Sequence, residues 1–229
     1  MSSHATPSTV FVLGALEVTD ADGRRLGPVP AGRAGILLRR LVAASGALVE
    51  IDGLVDALWD DDAPLAADRV IASLVSRVRK AVGSDVITGS SSTGYRFNSG
   101  RAWTSDLALV EELTKSAQAR AALSPAVTVT AARRAFGLLT RGNPELPPAF
   151  AQRSWAEDQQ RHVDALARRL NRASWDAQAQ LGMWSDIASQ AESVLSRSHH
   201  DEQAGRALMN AQWHLGDRAS ALRTYDVLR

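Results

Sequence analysis

The sequence predicts two halves of different class, an α+β N-terminal half and an all-α C-terminal half. Three observations lead there. Short β-branched strings set beside Asp-Gly or Ser-rich turns are confined to the first hundred residues. Leu, Ala, Val and Trp recur at helical spacing through almost all of the remainder. The pair Leu181-Gly182 returns 34 residues later as Leu215-Gly216.

Taken in order, Thr9-Val10-Phe11-Val12-Leu13 is short, β-branched and apolar, and predicts a strand that Leu16-Glu17-Val18 continues. Asp20, Asp22 and Gly23 supply turn chemistry for a hairpin. Arg25-Leu26 and Pro28-Val29 are its short returning strand. A first helix is expected over 34–44, with Ile36, Leu37, Leu38, Leu41 and Val42 on one stripe and Gly46 as its C-terminal glycine. A second is expected over 52–59, capped by Asp52. Pro64 breaks the chain before a third, over 66–82, which Gly83 stops. Val86-Ile87-Thr88 and Tyr95-Arg96-Phe97 then flank a Gly- and Ser-rich tip over 89–94, as in a hairpin.

The third helix has two unlike faces. At 100° per residue, Ile71, Leu74, Val75, Val78 and Val82 share a sector of about 100°, the core face. Opposite lie Arg69, Ala72, Ser73, Ser76 and Lys80, flanked by Arg77 and Arg79. Small residues between cations let a helix sit deep in the major groove of DNA. There arginine pairs with guanine edges and marginal cations reach phosphate. A solvated basic face is the plainer reading of the helix alone. The order of elements decides against it: three helices followed by a hairpin is the order of a winged helix-turn-helix, whose third helix enters the groove. Arg96, beside the Ser-rich tip, suits a wing that touches phosphate or minor groove.

The C-terminal half predicts helices over 106–122, 130–140, 154–181, 184–196, 201–215 and 218–228. A proline-bearing loop spans 141–148, and the junction between halves falls at 99–105, after Asn98. The 34-residue spacing is the tetratricopeptide period, in which a glycine turn joins two antiparallel helices. After Gly216, Ala221 fits the small position and Tyr225 the bulky one. After Gly182 the same positions hold Ile187 and Ala191, a poorer fit. Trp103, Trp155, Trp175, Trp184 and Trp213 are expected chiefly between stacked helices. One or two of them are candidates for a concave groove, the face such arrays present to ligands.

Composition narrows the function classes. With no cysteine there is no disulfide, thiolate metal site or cysteine nucleophile. No apolar run approaches the roughly 18 residues of a membrane span. The start lacks a secretory signal, so a cytoplasmic protein is expected. His4, His162, His199, His200 and His214 have no metal-ligand spacing. Glu111-Glu112 and Glu157-Asp158 lie in polar helical surroundings, and neither a phosphate-cradling Gly-rich loop nor a nucleophile elbow occurs. No catalytic constellation, metal or cofactor is therefore expected, and the chain does not read as an enzyme. Residues 1–104 carry 11 basic and 11 acidic residues, so an argument for nucleic acid rests on local placement of charge.

Four strings carry a family resemblance: Leu13-Gly14-Ala15-Leu16-Glu17-Val18, the run from Val49 to Trp59, the run from Val75 to Gly83, and Gly94-Tyr95-Arg96-Phe97. Together they resemble the SARP regulators, the Streptomyces antibiotic regulatory proteins and their actinobacterial relatives. The resemblance spans nearly the whole chain, by motif in the first half and by pattern in the second. It implies a response-regulator-type winged helix over 8–100 and a tetratricopeptide-like bacterial transcriptional activation domain over 105–229. The implied function is an activator that binds direct repeats in double-stranded DNA near a promoter's −35 region and recruits RNA polymerase. A homodimer on DNA, in secondary metabolism or a similar pathway, goes with it.

Carried over by position, Arg69, Ser73, Ser76, Arg77, Arg79 and Lys80 would face DNA. Arg77 is the base-reading candidate, and Arg69, Arg79 and Lys80 would hold phosphates. Ala72 and Leu74 stand where relatives often have other residues, and Glu50 replaces a common Ser/Thr cap before the second helix. Asp60, Asp61 and Asp62 fall in the loop that touches polymerase in related winged helices, which makes them candidates for the sigma factor or alpha subunit. A solvated acidic loop capping the third helix is the other reading. Relatives continue beyond the uncapped helix at 219–229, so a piece of a larger regulator is expected over a short protein. The alternative function is a helical-repeat adaptor or sensor whose winged helix binds protein, and the near-neutral first half motivates it.

Overall fold

The structure is a computed structural model that describes residues 6–59, 62–100, 102–141 and 151–228. It is mostly helical, with a small sheet region toward the N-terminus. Two compact units divide the chain: Met1–Glu112 with Phe136–Ala165, and Leu113–Ala135 with Leu166–Arg229.

The first unit opens with β1 (Ser8–Phe11) and β2 (Glu17–Thr19), which pair antiparallel with Val10 opposite Val18. Helices α1 (Arg33–Ala43), α2 (Ile51–Leu58) and α3 (Ala67–Val82) follow. The hairpin β3 (Ile87–Ser90) and β4 (Gly94–Phe97) comes next. Strand β5 (Trp103–Ser105) then joins the first sheet parallel to β1, giving the order β2-β1-β5. Leu37, Leu38 and Leu41 of α1, Leu54 and Leu58 of α2, Ile71, Val75 and Val78 of α3, and Ile87 of β3 are all essentially inaccessible to water. Burying each such side chain stabilises the unit by about 1.5–3 kcal/mol.

Four expectations change here. The chain reverses over 12–16, between β1 and β2, so Leu16-Glu17-Val18 does not extend the first strand. The reason is long-range. Asp106 accepts the Val12 N–H and the Leu13 N–H at 2.9 Å each. The Arg39 guanidinium donates to the Val12 carbonyl and, at 2.8 Å, to the Gly14 carbonyl. These two side chains satisfy a buried turn that local chemistry leaves open. The expected returning strand at 25–29 shrinks to an isolated bridge between Thr19 and Arg25. The turn before it forms as expected, with Asp20 Oδ1 accepting from the Asp22 and Arg24 amides. The junction at 99–105 contains β5, and Trp103 is buried in that strand rather than between stacked helices. The helix expected to start at Asp52 starts at Ile51, with Glu50 at its cap position making no side-chain capping bond.

Helices α4 (Asp106–Arg120), α5 (Pro125–Leu139) and α6 (Ser154–Gln180) are each divided between the units. Helix α5 begins earlier than the expected residue 130, because Pro125 with its fixed φ suits a first helical position. The second unit ends in two helix pairs: the end of α6 with α7 (Trp184–Leu195), then α8 (Glu202–His214) with α9 (Arg218–Leu228). The pairs turn identically. Gly182 and Gly216 both take positive φ, 70° and 85°. Met183 N–H bonds the Gln178 carbonyl, and Asp217 N–H bonds the Gln212 carbonyl, both at 2.9 Å. This is one helix-ending motif used twice, with glycine in the left-handed position that a side chain disfavours. Trp175, Ile187, Ala191, Ala204, Leu208 and Ala211 form the core between these helices. Ile187 and Ala191, a poor fit to the repeat by residue type, are 2% and 0% exposed. Trp213 departs from expectation. It is 57% exposed, with the Arg218 guanidinium 4.9 Å over its ring.

Candidate nucleic-acid interface

Helix α3 is divided as its spacing predicts. Ile71, Leu74, Val75, Val78 and Val82 face the core. Arg69, Ser73, Ser76, Arg77 and Lys80 are exposed, and Ala72 is half-buried. Among the described residues, Arg69, Arg77 and Lys80 have no hydrogen bond or ion pair. The last turn is basic, with Arg79 and Lys80 at the negative end of the helix dipole.

Arg79 is placed differently from its neighbours. It is half-buried and turned toward the hairpin. Its Nε and Nη2 donate to the Ile87 carbonyl at 3.0 and 2.9 Å, and Nη2 also reaches the Gly89 carbonyl at 3.3 Å. The guanidinium lies 5.9 Å from the centre of the Tyr95 ring. The expectation that Arg79 holds phosphate is thus met by a competing use: its donors join α3 to β3. Residue spacing placed it on a flank, where a long side chain can swing either way, and the hairpin carbonyls were the nearer partners.

The hairpin is fixed at both ends. Val49 and Tyr95 exchange backbone hydrogen bonds of 2.8 and 2.9 Å, which tie β4 to the segment entering α2. Gly94 makes that approach possible: it has a φ of 100°, and a Cβ there would lie 2.4 Å from the Val49 carbonyl oxygen. At the base, Asn98 donates from Nδ2 to the Asp85 carbonyl at 2.9 Å. The tip is confined to Ser91, Ser92 and Thr93, shorter than expected because β3 runs on to Ser90. Arg96 is exposed on β4, with Nε near the Thr88 hydroxyl at 3.3 Å. The hairpin therefore presents one cation and several hydroxyls beside the basic face of α3.

Asp62 is exposed in the connection between α2 and α3, while Asp60 and Asp61 lie outside the described residues. Leu65, in the same connection, has its whole side chain in solvent. Trp59 at the end of α2 is buried, with the Arg33 guanidinium 5.6 Å from its ring centre.

Sequence reasoning missed the polar knot at the start of α4. Asp106 is wholly buried and also accepts from the Leu107 amide at 2.9 Å. Burial pushes its pKa above the ordinary carboxylate value, against its backbone hydrogen bonds and Arg39. Burial likewise lowers the Arg39 pKa, opposed by Asp106. An Asp at a helix start is a capping signal, but nothing in its neighbourhood names Val12, Leu13 or Arg39 as partners. Elsewhere, His162 pairs with Glu111 at 2.7 Å. Among the described residues, no cluster of His, Asp and Glu has the grouping of a metal site, and no helix is long and apolar enough to cross a membrane.

In chain order a basic helix and a hairpin come first and a run of helices follows, and the family that this run matches gives the class: a transcriptional regulator. The bacterial transcriptional activator domain family matches residues 105–229, and the chain belongs to that family and to its SARP-type regulators. The chain is 27% identical over 232 residues to the regulatory protein AfsR of Streptomyces griseus, covering 96% of this chain and 23% of that protein. It superimposes with a TM-score of 0.80 on a solved structure of Mycobacterium tuberculosis EmbR in complex with a low affinity phosphopeptide. That match is 23% identical and covers 96% of this chain and 58% of the other, and it shows a shared fold. The chain thus spans under a quarter of the curated relative and under two thirds of the solved one.

Proposed function

We propose that this chain is a sequence-specific DNA-binding transcriptional activator, with 8–100 as a winged-helix DNA-binding domain and 105–229 as the activation domain. The observation that carries the reading is the outward face of α3. Three cations unpaired among the described residues, with two serines, stand on one side of a helix whose other side is sealed in the core. Such a face matches the acceptors of the major groove and the phosphates at its edges. In this reading Arg77 contacts a base, Arg69 and Lys80 hold phosphates, Ser73 and Ser76 allow close approach, and Arg96 touches the backbone from the wing. Two copies bind direct repeats in tandem in the cytoplasm. The α2–α3 connection, with Asp62 and its acidic neighbours, meets a basic surface of RNA polymerase on the sigma factor or alpha subunit.

Selection from a randomised duplex pool at two salt concentrations tests this. The expected result is an enriched pair of direct repeats about one helical turn apart, with affinity falling steeply as salt rises. The balanced charge of residues 1–104 favours a second reading, in which the winged helix binds protein. Weak binding with no enriched sequence supports that reading and overturns the first.

A further inference from the structure

The second unit holds a groove of about 410 Å³ that the DNA-binding reading does not use. It runs between α6 and α8, the leading helices of the two helix pairs, with Ile187 of α7 also lining it. Stacked helix pairs present such concave surfaces to ligands, and the volume lies within the range of ligand sites, about 300–1,000 Å³. Trp175, Ile187, Ala179 and Ala207 give it an apolar base, and the two alanines leave room above that base. The Trp175 indole N–H is already bonded to Gln190 Oε1 at 3.2 Å, so the ring offers only its apolar surface.

The walls are polar and carry both signs. On α6, Arg172 precedes Asp176 by one turn. On α8, Glu202 precedes Arg206 by one turn. Among the described residues neither Arg172 nor Asp176 has an ion-pair partner, although their spacing permits one. Arg206 and Glu202 do pair, at 3.3 Å, but both are about four-fifths exposed, and such a pair is easily exchanged for another. The side-chain amides of Gln203 and Asn210 also line the groove. Gln203 Nε2 already donates to the Arg168 carbonyl at 3.2 Å, which leaves its amide oxygen and the Asn210 amide to meet an extended backbone.

We infer that this groove binds an extended peptide segment of a partner protein, with an apolar side chain between one acidic and one basic residue. The apolar side chain sits over Trp175, Ala179 and Ala207. Arg172 takes the acidic residue and Asp176 the basic one, while the amides of α8 hold the peptide backbone. The inference is independent of DNA binding.

The test uses the full chain, immobilised and panned against a displayed library of random linear peptides. Selected peptides are then synthesised and titrated in solution. The expected consensus has an apolar residue with an acid and a base close on either side. Ala207→Trp fills the groove and should weaken these peptides at least tenfold. Arg172→Glu, at an exposed position that the fold does not need, should weaken them tenfold, and a peptide with its acid changed to Lys should recover most of that loss. Failure to select any linear consensus overturns the proposal. So does a selected peptide that binds Ala207→Trp or Arg172→Glu within twofold of the parent chain. If Ala207→Trp fails to fold, by its circular dichroism, the Arg172→Glu result decides alone.

Discussion

Arg39 and Arg77 sit in the same three-helix unit and have opposite fates. Arg39 is 6% exposed, bonded to two carbonyls and beside the buried Asp106. Arg77 is exposed, and among the described residues it touches no acceptor. The region around Arg39 consumes charge to complete the backbone hydrogen bonding of a turn. The outer face of α3 leaves charge uncommitted. The first kind of charge holds the fold, and its removal orphans buried groups. The second kind contributes little to folding and is available to an anionic partner. Mutations in the two regions should therefore separate stability from binding.

The largest effect is expected in the knot. Asp106→Ala leaves the Val12, Leu13 and Leu107 amides without their acceptor and leaves Arg39 buried without its counter-charge. Each buried amide orphaned in this way costs about 1–3 kcal/mol, to be read as a drop in the urea midpoint. Asp106→Asn keeps one acceptor oxygen, should cost less, and removes the ionisation. Its pH signature follows from the raised pKa of Asp106 in the fold. Stability from this group is fully present below its unfolded value of 3.8 and is lost as pH rises through the higher folded value. Between those values the parent chain should lose stability with rising pH more steeply than Asp106→Asn. Parallel curves would show that the Asp106 carboxyl does not titrate differently in the fold.

On the other side of the comparison, Arg77→Ala should leave the urea midpoint unchanged to within about 0.5 kcal/mol. On a selected DNA site it should cost about 1–3 kcal/mol and relax the preference at one base position. A stability loss with unaltered DNA binding would reverse the assignment, making Arg77 structural.

The division of α3 was legible because it depends on spacing alone. Five apolar residues at helical intervals must share a face, and the residues between them must point away. The glycine turns at 182 and 216 were legible for a similar reason, since a repeated local motif repeats its geometry. Strand β5 was not legible. Trp103-Thr104-Ser105 is too short to carry an alternation, and its pairing with β1 joins residues far apart in sequence. The fates of Arg39 and Arg79 were hidden too, because a guanidinium on a long stem takes whichever acceptor the fold brings near. What the sequence could not tell was which of the cations around α3 had internal partners.

Arg79 and Lys80 sharpen that point with the smallest effects. Both were expected at phosphate; Arg79 is bonded to the Ile87 carbonyl, and Lys80 has no internal bond among the described residues. Arg79→Ala should cost about 1–2 kcal/mol of stability through its carbonyl partners. It should also speed hydrogen exchange at β3 and β4 amides, while the slope of log affinity against log salt stays as in the parent. Lys80→Ala should leave stability and hairpin exchange unchanged. It should weaken all duplexes alike and reduce that slope by about 0.9, the contribution of one neutralised phosphate. If Arg79→Ala lowers the slope by the same amount with the hairpin still protected, its guanidinium leaves the Ile87 carbonyl for DNA on binding. An unchanged slope for Lys80→Ala would instead move the phosphate contact off the end of α3 and onto Arg69 or the β3–β4 hairpin.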